Sequence, residues 1–197
     1  MAQTTTYWTA LSWPNLLTYG RILAVPLMVA CLFFIPGDLG HWLALIVFLA
    51  AAITDFFDGY LARAWQQQSS LGRMLDPIAD KLLVGVAVLV LVSKNVIGDW
   101  SLWAAIIILS REILVSGLRE YLAELKVSVP VTQLAKYKTT MQMLALGFLI
   151  AGPAGDKIYI WTTTIGLTLL WGAAIITLYT GYDYFRAGLK HVFEEQT

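Results

Sequence analysis

The chain has 197 residues, of which 58% are hydrophobic and only 13% are charged, and its formal net charge is zero. A soluble globular domain carries about 25% charged residues. This composition, with a mean hydropathy of +0.69, is therefore typical of a membrane protein. A balanced charge gives no overall field that would attract nucleic acid, and the single cysteine, Cys31, excludes an intrachain disulfide.

Six apolar segments are predicted as spanning helices, because a helix that crosses a membrane needs about 20 mostly apolar residues. In chain order they cover residues 16–35, 42–62, 75–92, 100–122, 139–151 and 158–185. The fifth has the shortest apolar core, and it spans only if its polar start at 135–140 is also helical. We therefore predict an all-α integral membrane protein with six transmembrane helices, folded as a single domain over residues 1–197.

The two ends of the chain lie outside these segments. Residues 1–15 carry several aromatic side chains and end near Pro14, which favours a short interfacial helix on the membrane surface over a disordered tail. Residues 186–197 are predicted to form a cytoplasmic tail.

The connections between the six segments alternate in charge. Those on one side carry only Lys94 and Lys157, whereas most other basic residues fall on the opposite side. Cytoplasmic loops of membrane proteins carry an excess of lysine and arginine. The charge bias therefore predicts that the basic side and both termini are cytoplasmic.

Four aspartates, Asp55, Asp58, Asp76 and Asp80, lie close together on the basic side of this pattern. Carboxylates in or beside apolar segments usually mark function, and four of them repel unless protons or cations intervene. The spacing of three and of four residues puts each pair on one helix face, and the short connection at 64–71 lets the pairs face each other. Oxygen ligands suit hard divalent ions. The pattern predicts a site for one or two such ions, an arrangement that suits phosphoryl transfer.

The complete spacing resembles the signature of the CDP-alcohol phosphotransferase family without departure. It reads Asp55-x2-Asp58-Gly59-x2-Ala62-Arg63-x8-Gly72-x3-Asp76-x3-Asp80. Segments 15–21, 111–120 and 136–143 also resemble bacterial family members that use glycerol 3-phosphate as the acceptor, and the resemblance extends over residues 13–185. Ala135 is a small departure, since many relatives have a glycine one position before the lysine.

The resemblance implies a role for each matching residue. Divalent metal ligands, for two Mg²⁺ or Mn²⁺ ions, would be Asp55, Asp58, Asp76 and Asp80, and Asp80 would also act as the general base. Contacts to the CDP part of the lipid donor would come from Asn15, Thr18, Gly59, Arg63 and Ser69. The resemblance further implies a homodimer of six-helix subunits in the bacterial inner membrane, with its active site facing the cytoplasm.

The implied reaction belongs to phospholipid biosynthesis. The phosphatidyl group of CDP-diacylglycerol is transferred to sn-glycerol 3-phosphate, which gives phosphatidylglycerophosphate and CMP. A phosphorylated acceptor needs cations of its own, and the same side of the chain supplies Arg111, Arg119, Lys136 and Lys138. Glu112 and Glu120 are expected to pair with the two arginines.

Two other functions fit part of the pattern. One is the same chemistry with another acceptor, such as serine or inositol phosphate, although the four cations favour a phosphorylated acceptor. The other is a divalent-cation transporter that uses the aspartates as a transit site. Transporters often contain inverted repeats and polar residues near the middle of the membrane. Here the carboxylates lie at one edge, and no repeat is evident in the sequence.

Overall fold

The computed structural model describes residues 13–65, 70–124 and 133–194, and the remaining residues lie outside the described part. Within these ranges the chain forms six helices joined by short turns, with no strand. They are α1 (Trp13–Phe34), α2 (Asp38–Trp65), α3 (Ser70–Ser93), α4 (Ser101–Glu124), α5 (Gln133–Asp156) and α6 (Thr162–Glu194). The predicted all-α class is confirmed. The predicted interfacial helix falls mostly on residues outside the described part.

Three of these helices are long and apolar enough to cross a membrane, judged by length and composition. The stretches are Leu16–Phe34, Ser101–Ala123 and Thr162–Tyr182, and Asp38–Thr54 is a shorter apolar stretch in α2. The chain is thus a membrane-embedded helical protein, with six helices confirmed and three spans supported in the described ranges.

Glycine and proline account for the main breaks between and within the helices. α1 ends at Phe34, just before Pro36, and Gly37 takes a positive φ of 74° in the turn. The predicted stop at residues 152–153 is a kink inside α5, where Gly152 has a φ of 37° and a ψ of −121°. Few residues other than glycine adopt such a φ. α5 begins at Gln133, so the polar start of the fifth segment is helical, as its prediction as a span requires.

α5 and α6 pack closely through small residues. A Cβ atom at Gly166 would lie 2.8 Å from Leu149 Cγ, and one at Gly172 would lie 2.8 Å from Met141 Sδ. Small residues let helix backbones approach each other, which drives helix association in lipid. The order of these two contacts shows that α5 and α6 run antiparallel. α6 also packs against α4, while α1 lies against both α2 and α3.

The α1–α2, α3–α4 and α5–α6 turns lie at the end of the bundle opposite Asp76 and Asp80. Lys157 pairs there with Asp38 at 2.7 Å, and both side chains are exposed. Nδ1 of His41 lies 2.8 Å from the carbonyl oxygen of Ile150, to which it donates a hydrogen bond between α2 and α5. This end is therefore held by polar contacts of its own.

Candidate active site

α1 presents two polar side chains to the aspartates of α3. Thr18 and Arg21 are three residues apart on α1, and Asp76 and Asp80 are four apart on α3, so each pair lies on one helix face. Oγ1 of Thr18 donates to Oδ1 of Asp76 at 2.5 Å, and Nη1 of Arg21 donates to Oδ1 of Asp80 at 2.5 Å. The two bonds follow the same order along both helices. α1 and α3 therefore run parallel at the site.

The two partners of the ion pair differ sharply in exposure. The side chain of Arg21 is 1% exposed, whereas that of Asp80 is 51% exposed. A buried guanidinium is strongly unfavourable unless a carboxylate or other acceptor compensates its lost hydration. Arg21 therefore contacts Asp80 from the protein side and leaves the carboxylate accessible to a ligand. Thr18, which is 2% exposed, orients Asp76 in the same way.

The described half of the predicted metal site fits a divalent cation. Asp76 and Asp80 face the same side of α3, and carboxylate oxygens are the ligands that magnesium and similar ions use. Asp55 and Asp58 lie in the helical backbone of α2, with side chains outside the described part. Among the described residues alone, no three acidic, histidine or cysteine side chains form a group that could hold a metal ion. The remaining ligands are therefore expected from α2.

Of the five predicted donor contacts, only Thr18 has a described side chain. Gly59 and Arg63 lie in α2 and Asn15 lies in α1, but their side chains are outside the described part, as is all of Ser69. The role of these four residues stays a prediction. The buried hydroxyl of Thr18 contacts Asp76. Any effect of Thr18 on binding of the donor would therefore act at least partly through the Asp76 carboxylate.

A second polar group lies where α4, α5 and α6 meet. Lys138 of α5 is 4% exposed and pairs with Glu112 of α4. Glu112 directly follows Arg111 in α4, and Nη2 of Arg111 donates to Oγ1 of Thr180 at 3.1 Å. Two of the four predicted acceptor cations are thus brought together. The expected partner of Glu112 was an arginine, and the structure corrects this to Lys138.

The other two predicted acceptor cations are placed differently. Arg119 is exposed and lies eight residues after Arg111 on α4. Lys136 is also exposed. Two residues along a helix correspond to a rotation of about 200°, so Lys136 and the buried Lys138 point to different sides of α5. The acceptor role of all four cations stays a prediction.

Several polar residues of these two groups had no role assigned from the sequence. Arg21 is one of them. The sequence feature that could have indicated its role is a positive charge inside an apolar run, three residues after Thr18. Gln142 is 4% exposed, and its Oε1 has no hydrogen-bond partner among the described residues. It lies four residues after Lys138, which puts both on one face of α5. Tyr184 of α6 lies with its ring centroid 5.7 Å from Cζ of Arg111.

Comparison with known proteins supplies the chemical setting for this geometry. Residues 11–179 match the CDP-alcohol phosphatidyltransferase family, and this range includes all four aspartates together with Thr18 and Arg21. The chain belongs to the CDP-alcohol phosphatidyltransferase family. The resemblance noted in the sequence is thereby confirmed, and the chain is a membrane-embedded transferase of phospholipid synthesis.

Three members of the CDP-alcohol phosphatidyltransferase family illustrate the extent of the similarity. A protein of Rickettsia bellii is 48% identical, in an alignment that covers 90% of this chain and 96% of the relative. Relatives from Cereibacter sphaeroides and Shigella flexneri are 38% and 39% identical, with 93% and 92% of this chain and 98% and 97% of the relatives covered. All three carry the name CDP-diacylglycerol–glycerol-3-phosphate 3-phosphatidyltransferase.

Proposed function

We propose that this protein transfers the phosphatidyl group of CDP-diacylglycerol to sn-glycerol 3-phosphate, giving phosphatidylglycerophosphate and CMP. The observation that carries the proposal is the similarity, along about nine-tenths of the chain, to relatives whose name states this reaction. The contacts of Thr18 and Arg21 with Asp76 and Asp80 agree with it, because they orient two carboxylates of the family signature.

The four aspartates would hold Mg²⁺ or Mn²⁺, with two ions per site as the proposed number. A bound divalent ion would neutralise the charge on the donor's two phosphates, which lowers the barrier to attack. Asp76 and Asp80 of α3 contribute carboxylate oxygens that α1 already orients, and Asp55 and Asp58 of α2 would complete the set. The CDP part of the donor would be held by Asn15, Thr18, Gly59, Arg63 and Ser69.

Asp80 is the proposed general base. It would accept the proton of the primary hydroxyl at C1 of the acceptor, and that oxygen would attack the β-phosphorus of the donor. The new phosphorus–oxygen bond forms as the bond to CMP breaks, so CMP leaves with the electron pair of that bond. The 51% exposure of Asp80 gives the hydroxyl access to the carboxylate. The protein contributes mainly by positioning the reactants and compensating charge.

Arg111 and Lys138 are the proposed contacts for the phosphate of the acceptor, assisted by Arg119. They lie on α4 and α5, outside the α1–α3 contact, so the acceptor would bridge the two polar groups. Glu112 limits the net positive charge around Lys138 in the absence of the acceptor. Lys136 would contribute from the exposed side of α5.

We further propose that the site faces the cytoplasm of a bacterial cell and that the protein is a homodimer in the inner membrane. The orientation is supported by the basic residues that gather at the end of the bundle holding Asp80 and Arg111. The dimer follows from the family resemblance.

The test is an activity assay on purified protein in detergent, with CDP-diacylglycerol, Mg²⁺ or Mn²⁺, and one acceptor at a time. CMP release and the lipid product are measured. We expect phosphatidylglycerophosphate with glycerol 3-phosphate only, abolished by a chelator and by Asp80→Asn. The matched control is Asp99→Asn, an exposed carboxylate at the opposite end, which should retain activity.

The other outcomes discriminate between the alternatives. A product formed only with serine or inositol phosphate would keep the phosphotransferase chemistry and overturn the acceptor assignment. No CMP release with any acceptor, from folded protein that binds the metal ion, would overturn the proposed reaction.

A further inference from the structure

The aliphatic part of the Arg111 side chain lies directly against the backbone of α6. A Cβ atom at Gly181 would lie 3.1 Å from Cγ of Arg111, 3.5 Å from its Nε and 3.9 Å from its Cδ. The first of these distances is tighter than ordinary carbon–carbon contact, which has its optimum at about 3.5–4.0 Å. A Cβ atom at position 181 would therefore require the Arg111 side chain to shift by a few tenths of an ångström.

Two further residues of α6, Thr180 and Tyr184, contact the guanidinium of Arg111. Thr180 is 1% exposed, and its hydroxyl donates to the carbonyl oxygen of Ile176 at 2.9 Å. Its proton is thus committed to the helix, and an oxygen lone pair accepts from Nη2 of Arg111 at 3.1 Å. On the other side, the ring of the buried Tyr184 lies 5.7 Å from Cζ of Arg111, within the range of a cation–π contact.

We propose that Gly181 is a positioning residue for the acceptor, acting through Arg111. The space beside Gly181, the hydroxyl of Thr180 and the ring of Tyr184 form a contact surface on α6 that fixes the guanidinium of Arg111. We call this surface the seat. This inference rests on the proposed function, in which Arg111 binds the phosphate of glycerol 3-phosphate. It assigns to α6 a part in acceptor recognition, although the α6 residues involved do not themselves contact the acceptor.

The seat explains how a long, flexible side chain keeps one orientation. An arginine loses considerable rotamer freedom when it is immobilised, and the three contacts offset that cost before the acceptor arrives. Nε of Arg111 is buried and has no hydrogen-bond partner in the described part of the chain. The position of the Arg111 side chain is therefore set by the hydrogen bond of Nη2, the ring of Tyr184 and the packing against Gly181. Among the described residues, no hydrogen bond at Nε opposes a shift of its aliphatic part.

The experiment is a comparison of Gly181→Ala with Gly172→Ala. Gly172 lies on the same helix, and its Cβ would lie 2.8 Å from Met141 Sδ, so the added methyl meets a closer neighbour than at position 181. We expect Gly181→Ala to raise KM for glycerol 3-phosphate about fivefold or more, with KM for CDP-diacylglycerol within about twofold, as loss of a binding contact does. Gly172→Ala should leave both KM values unchanged. An equal rise in acceptor KM for both variants would assign the effect to general packing of α6 and overturn the proposal.

A double-mutant cycle separates this inference from the proposed function. Arg111→Gln alone should raise KM for glycerol 3-phosphate, and adding Gly181→Ala should then have no further effect, because residues in contact are not additive. If Arg111→Gln raises KM but Gly181→Ala alone does not, the seat is overturned while the role of Arg111 stands. If Arg111→Gln has no effect on KM, the acceptor role of Arg111 falls, and the seat falls with it.

Thr180→Val keeps the test valid if the added methyl at position 181 prevents folding. It removes the hydroxyl that accepts from Arg111 with little change in volume. The expected result is again a higher KM for glycerol 3-phosphate at constant KM for CDP-diacylglycerol. Unchanged kinetics in folded Thr180→Val would overturn the proposal.

Discussion

Arg21 and Asp80 form the ion pair that links α1 to α3, with Nη1 and Oδ1 at 2.5 Å. The guanidinium is 1% exposed and the carboxylate 51% exposed, so the pair joins the protein interior to the open site. An arginine in this position does two things for a carboxylate that we propose as a base and metal ligand. It restrains the orientation of the carboxylate, and it offsets part of the repulsion among neighbouring aspartates.

We predict that Arg21→Met lowers kcat by at least about tenfold, which corresponds to roughly 1.4 kcal/mol in the barrier. Without the guanidinium, Asp80 loses this hydrogen bond and a neighbouring positive charge. Arg21→Lys should be intermediate, because an ammonium keeps the charge but not the planar set of donors. Initial rates of CMP release at saturating substrates measure the effect.

The control for Arg21 is Lys157→Met. It removes an exposed ion pair with Asp38 at the other end of the bundle, and exposed pairs contribute only about 0–1 kcal/mol. Its kcat should stay near that of the unmodified protein. A normal kcat in Arg21→Met would contradict the positioning role.

The hydrogen bond from Thr18 to Asp76 predicts an effect on metal dependence. Thr18→Val removes a hydroxyl that orients one carboxylate, and outer partners of metal ligands typically contribute about 10–100-fold in metal affinity. We expect the Mg²⁺ concentration for half-maximal activity to rise at least about threefold, which is below that range because other aspartates remain. Thr18→Ser should restore the original value.

The matched control for Thr18 is Thr168→Val. Thr168 is an exposed threonine of α6 whose hydroxyl donates to the carbonyl oxygen of Thr164. Its replacement should not alter the Mg²⁺ dependence. Identical curves for Thr18→Val and the unmodified protein would show that the contact does not affect the site.

Lys138 and Lys136 provide an internal comparison for the acceptor site. Lys138 is buried beside Arg111 and Glu112, whereas Lys136 is exposed on another side of α5. We predict that Lys138→Met raises KM for glycerol 3-phosphate about tenfold, equivalent to about 1.4 kcal/mol of binding. Lys136→Met should change it much less. The reverse order in steady-state assays with varied acceptor would place the phosphate on the exposed side of α5.

Removal of the buried hydroxyl of Thr177 is expected to increase the stability of the folded protein. Thr177 is 0% exposed, and its Oγ1 has no hydrogen-bond partner within the described ranges. A desolvated group left unpaired costs about 1–3 kcal/mol, so Thr177→Val should raise Tm in detergent by a few degrees. Thr180→Val, on the same helix and equally buried, removes a paired hydroxyl and should lower Tm. A lower Tm for Thr177→Val would indicate that its hydroxyl has a partner in the working protein.

The class of protein and the number of helices could be predicted because they depend on local properties. Runs of apolar residues, the stop before Pro36 and the break at Gly152 are visible along the chain, and the structure has helix ends or kinks at these places. Helix lengths were less accurate. α3 begins at Ser70 and α6 continues to Glu194, past the predicted segments, because polar residues extend a helix without adding to its apolar run.

By itself, the sequence determined the family, the aspartate signature and the side of the bundle that carries the cations. These follow from spacing and charge order, which are properties of the unfolded chain as much as of the folded one. Only the tertiary structure decided which charges meet. Arg21 contacts Asp80 across 59 positions, Lys138 contacts Glu112 across 26, and Arg111 contacts Thr180 across 69. Such pairs depend on which helices are neighbours and in what register they pack, and that packing includes close contacts such as Gly166 with Leu149, which no local pattern encodes.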